Sequence, residues 1–75
     1  MERKFTIKQA RQYKGLTQRQ LSEKLGISES TLNKYEKYET PMRMDTAFKL
    51  SESVDIAIDD IIFLPKNYGK TVVKA

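Results

Sequence analysis

Residues 15–36 read GLTQRQLSEKLGISESTLNKYE, and this stretch decides the fold. Thr17-Gln18-Arg19-Gln20 has the form of a capping box. The Thr hydroxyl can take a free backbone amide, and the Gln three places on can reciprocate. The pattern predicts a helix with Leu21, Ser22 and Leu25 on its inner face, stopped by Gly26. Only Ile27 separates that Gly from Ser28, which caps a further helix from Glu29 to about Lys37. Leu32, Tyr35 and Glu36 face inward there. Two helices joined by so short a turn must cross at close range. The crossing needs a small residue where they meet, and Ser22 is small. It needs a residue that tolerates positive φ at the corner, and Gly26 supplies it. It needs apolar anchors on both sides, and Leu21, Leu25, Ile27, Leu32 and Tyr35 are spaced to serve.

Working outward, Thr6-Ile7-Lys8-Gln9 is a second capping box. The helix it starts carries Ile7, Ala10 and then Arg11 or Lys14 on one side, and Gly15 stops it. Downstream, residues 38–43 form a connection broken by Pro41. A fourth helix begins at Asp45, or earlier with Thr40 as cap and Pro41 at the first helical position. Met44, Ala47, Phe48, Ser51 and Val54 recur at helical spacing and mark its inner face. A short fifth helix is expected to carry Ile58, Ile61 and Ile62. Residues 63–75 contain Pro65 and Gly69, and Thr71-Val72-Val73 is open between a strand and a frayed end. There is no internal repeat or low-complexity tract.

With 75 residues and a net charge of +4, the chain reads as one domain with a thin core. It has no Cys, so neither a disulfide framework nor a thiolate metal site is available, which suits a reducing, cytoplasmic setting. It has no His, which removes the usual general base and the commonest zinc ligand. There is no Gly-rich phosphate loop either, so an enzyme has little support and no cofactor is expected. No apolar run is long enough to span a bilayer, so no membrane partner is expected. Charge is uneven. Residues 1–27 hold seven bases against two acids, whereas residues 45–64 hold one base against five acids. One half therefore suits a polyanion and the other repels it, although ordinary solvated surfaces would give the same count. Asp59 and Asp60 are adjacent, point in different directions on a helix and read as caps rather than metal ligands.

The run from Gly15 to Ser28, followed by Ser30-Thr31-Leu32-Asn33-Lys34-Tyr35-Glu36, closely resembles the Cro and phage-repressor helix-turn-helix family, also called the XRE family. The similarity covers residues 7–62. The resemblance implies an all-α, compact five-helix lambda-repressor-like domain over residues 1–64, with the helix-turn-helix at helices 2 and 3. Residues 65–75 are then a tail with a possible short strand. The third helix would dock in the major groove of double-stranded DNA, usually in a homodimer, with no small-molecule effector evident. By position, Glu29, Ser30, Asn33 and Lys34 face bases. Thr17, Gln18, Arg19, Ser28, Thr31, Lys37 and Arg43 hold phosphates, and Gln18 can also brace the recognition helix. Arg11 and Glu36 match a structural ion pair. Asn can pair with an adenine edge, Lys can donate to guanine and Glu can accept from cytosine, each good contact contributing about 1–3 kcal/mol of discrimination.

Three positions depart from the family pattern. Tyr38 stands where Gly commonly follows the third helix, Ala57 stands where a capping Ser is common, and Pro41 is shifted. Ile61, Phe63, Leu64 and Tyr68 are expected to form a dimer contact. The resemblance implies a sequence-specific regulator, of phage or mobile-element repressor type, on a pseudo-palindromic operator. The rival reading is an antitoxin or adaptor whose helix-turn-helix serves mainly protein interaction.

Overall fold

A computed structural model describes residues 4–64. The chain opens with a two-residue strand, β1 (Phe5–Thr6), which runs directly into α1 (Ile7–Lys14). Next come α2 (Gln18–Leu25), α3 (Glu29–Glu36) and α4 (Met44–Val54). A single 3-10 turn (Ile58–Asp60) leads into β2 (Ile61–Ile62).

Local chemistry sets the starts of the first three helices. Thr6 and Thr17 each complete a reciprocal capping box, with Gln9 and Gln20 respectively. Ser28 Oγ accepts from Thr31 N at 3.0 Å and starts α3. Each such cap contributes about 1 kcal/mol. α4 starts differently from either expectation. Arg43 holds its N-cap position without a side-chain cap bond, and Asp45 Oδ1 accepts from Thr46 N at 2.8 Å instead. Thr40 and Pro41 lie outside the helix.

The core is built from Ile7, Ala10, Leu21, Leu25, Leu32, Tyr35, Leu50, Val54, Ile56 and Ile61. α2 packs against both α3 and α4, while α1 touches α3 and α4. The inner face of α4 is Thr46, Ala47, Leu50 and Val54. The expected stripe shares Ala47 and Val54 but wrongly included Met44 and Phe48, which are 64% and 54% exposed. Two strongly apolar residues biased that reading, whereas packing on α2 and α1 selects the side centred on Leu50.

The chain has four α-helices among the described residues, not five, and it is not purely helical. Ala57 offers no side chain to cap a fifth helix, so only one 3-10 turn forms. Ile61 then turns extended and pairs in parallel with Phe5, as Ile62 does with Thr6. Residues 71–73, which the sequence leaves open between a strand and a frayed end, lie outside the described residues.

Candidate nucleic-acid interface

The corner between α2 and α3 is closed by backbone hydrogen bonds. Gly26 N donates to Glu23 O at 3.2 Å, and Ile27 N donates to Ser22 O at 3.0 Å. This pairing satisfies the last carbonyls of α2 and turns the chain sharply. Gly26 has φ +72, and a Cβ built there would meet nothing within 4 Å. Glycine is therefore needed for the backbone angle and not for space. Ser22 is buried at the crossing, and its Oγ donates to Arg19 O at 2.8 Å.

Beyond the corner, α3 has two unlike sides. Leu32 and Tyr35 are buried. Glu29, Ser30 and Lys34 are exposed, and Asn33 is half-exposed. An amide, a carboxylate, a hydroxyl and an ammonium thus share one accessible stretch. Glu29 lies in the first turn, where the free amides and the dipole favour a carboxylate. Thr31 is half-buried, and its hydroxyl accepts from Ser28 Oγ at 2.9 Å.

A clamp fixes the far end of α3. Arg11 Nε lies 2.6 Å from Glu36 Oε2, with the two side chains only 11% and 3% exposed. Arg11 also donates to Leu16 O at 2.9 Å. Gln18 Nε2 donates to Glu36 Oε1 at 3.0 Å. A residue at the start of α2 is thereby wired to the end of α3, with Arg11 of α1 as the third member. Among the described residues, no buried side-chain polar atom lacks a partner.

The bases expected at phosphates are on the surface. Arg19, Lys37 and Arg43 are all exposed. Arg19 sits 3.6 Å from Glu23, and Arg43 sits 3.4 Å from Asp45. Such exposed pairs contribute little, so either Arg can exchange its partner for another anion at small cost. Thr17 is exposed at the α2 start, its hydroxyl accepting from Gln20 N at 3.0 Å.

Of the expected dimer residues, the three described ones do not share one exposed surface. Ile61 is 5% exposed and belongs to the core, because its strand is held against β1, so its side chain is not offered to a partner. Phe63 packs against the core as well. Leu64 is 53% exposed, and Tyr68 lies outside the described residues.

Sequence reasoning missed what Tyr38 does. Its hydroxyl accepts from Ile7 N at 3.3 Å and donates to Ile62 O. One side chain thus ties the α3 exit to the start of α1 and to β2. The available signal was the large residue standing where the family commonly carries Gly.

No curated protein and no solved structure matches the chain. A family model described as Helix-turn-helix matches residues 7–61, which runs from the start of α1 to β2. With that match spanning most of its length, the chain belongs to the helix-turn-helix family of the Cro and phage-repressor (XRE) type, whose members are DNA-binding regulators.

Proposed function

We propose that the chain is a sequence-specific repressor that binds double-stranded DNA as a homodimer on a pseudo-palindromic operator. The observation that carries the reading is the exposed side of α3, held at a fixed angle by the Arg11–Glu36–Gln18 clamp. Glu29, Ser30, Asn33 and Lys34 read base edges in the major groove, where each base pair presents its own donor and acceptor pattern. Thr17, Arg19, Ser28, Thr31, Lys37 and Arg43 hold phosphates and set the docking register without reading sequence. Gln18 serves as the brace for α3 and donates to a phosphate only as a second role.

A dimer presents two α3 helices to successive major-groove faces about 34 Å apart, so the operator carries an inverted repeat. Occupancy there excludes polymerase or a rival protein, and the protein's concentration sets the response. Selecting bound duplexes from a random pool tests the whole reading. An enriched inverted repeat supports it. Recovery of unrelated sequences removes the base-reading role, and recovery of nothing removes DNA binding.

A further inference from the structure

Met44 and Phe48 are strongly exposed and stand one turn apart on the outer side of α4. Single exposed apolar side chains are ordinary, but an adjacent pair on one helix face is less so. Tyr13 and Leu64 are also exposed, on other elements, and the Tyr13 ring lies 5.1 Å from that of Phe5. One flank of the Met44–Phe48 pair carries exposed Asp45 and Lys49. The other flank, Ala47 and Ser51, turns into the domain, with Ala47 buried and Ser51 half-buried. Glu52 and Asp55 continue the outer side and make it acidic, which suits protein better than DNA.

We infer that this side of α4 is where two copies of the chain meet, crossing antiparallel about a two-fold axis. The inference rests on the homodimer reading above and supplies its contact. The charge pattern selects both the partner and the direction. A two-fold axis perpendicular to two antiparallel helices brings each flank against the same flank of the other copy. Asp45 then meets the partner's Lys49, and Lys49 meets the partner's Asp45, both along the same flank of the contact between Met44 and the partner's Phe48. A parallel crossing would set these charges against the Ala47–Ser51 flank and pair none of them. The Asp45–Lys49 flank is thus complementary to itself, as a closed two-fold contact requires. Asp45 can take part because its side chain is 65% exposed and its bonds to Thr46 and Arg43 both use Oδ1, leaving Oδ2 open.

Sedimentation equilibrium of the full chain without DNA tests this. Wild type should show a monomer–dimer equilibrium. Phe48→Ala and Lys49→Asp should each weaken it by at least about tenfold. Neither should change the circular dichroism melt much, since both side chains are exposed. The double variant Asp45→Lys with Lys49→Asp re-forms both ion pairs and should recover association lost in Lys49→Asp. A wild type that stays monomeric at every concentration overturns the inference. So does a Phe48→Ala chain that associates as wild type does, or a Leu64→Ala chain that dissociates while Phe48→Ala does not. Titrating Phe48→Ala against a single half-site separates the two claims. Retained half-site binding keeps the DNA reading whatever sedimentation shows, whereas loss of all DNA binding by wild type removes that reading and leaves the sedimentation result standing.

Discussion

Tyr38 takes φ +60, a left-handed conformation that costs a residue with a side chain about 1–2 kcal/mol. The two hydrogen bonds of its hydroxyl, to Ile7 N and Ile62 O, offset that cost. Tyr38→Phe keeps the strained backbone, leaves the Ile7 amide unpaired and should destabilise the domain by about 1–3 kcal/mol in a urea titration. Burial, opposed by the bond from Ile7, raises the Tyr38 phenol above its ordinary value of 10.0. The folded chain therefore holds the proton more tightly than the unfolded chain. This contribution is complete below pH 10.0 and is lost as pH rises through the higher folded value. Tyr38→Phe should remove that alkaline limb from a plot of stability against pH. At the same scale, Lys34 and Lys37 are both exposed but have different proposed roles. Lys34→Ala should weaken operator binding by about 1–3 kcal/mol and relax preference at one position of each half-site. Lys37→Ala should weaken all duplexes alike and lower the salt slope by about one unit. Equal losses on operator and random DNA for both variants would contradict that division.

All four helices leave through a left-handed residue, namely Gly15, Gly26, Tyr38 and Asp55. After the first three, the next two amides fold back onto the last carbonyls in the same pattern, with Leu16, Ile27 and Glu39 at the second position. Asp55 tolerates the angle less well than Gly, and its contact with Lys14 is a 4.0 Å surface pair of little worth. Asp55→Gly should therefore raise stability by about 0.5 kcal/mol, read as a higher melting temperature. The clamp across α1, α2 and α3 calls for a different test. Glu36→Leu alone leaves the Arg11 guanidinium and the Gln18 amide without their buried acceptor, and should cost about 3–5 kcal/mol. Adding Arg11→Met to it should recover part of the loss, and a double-mutant cycle measures the coupling. Elements with this local grammar were legible in the sequence: both capping boxes, the Ser28 cap, the Gly15 and Gly26 exits and the buried faces of α2 and α3. What was not legible depends on distant neighbours. The rotation of α4 is chosen by packing on α2 and α1, and Ile61 is drawn out of a helix by Phe5, far away in sequence. Of the candidate interface, exposure follows from the helix periodicity, whereas the resemblance implied the Arg11–Glu36 pair and a bracing Gln18 but not that Gln18 joins that pair at Glu36.

For the whole molecule, the basic first half and the acidic second half orient the domain as it approaches a polyanion. Within a Debye length of about 10 Å at 0.1 M salt, the acidic side of α4 is pushed away from a duplex while the α2–α3 side is drawn in. Two-fold binding then makes a geometric demand. Inserting about five base pairs between the half-sites turns one of them to the opposite side of the duplex, so a dimer can engage only one. Gel-shift affinity should collapse to the half-site value with that spacer and return when a full helical turn is inserted only if the dimer can stretch.

The small sheet bears on the order of folding. Helix exits and capping boxes close over three or four residues and form within microseconds, but β1 must wait for β2, from the opposite end of the described segment. During synthesis the helical hairpins can therefore assemble while β1 still lacks its partner strand. A nascent chain halted before residue 61 should be digested readily by protease, and one extended far enough for that residue to clear the ribosome should abruptly resist it.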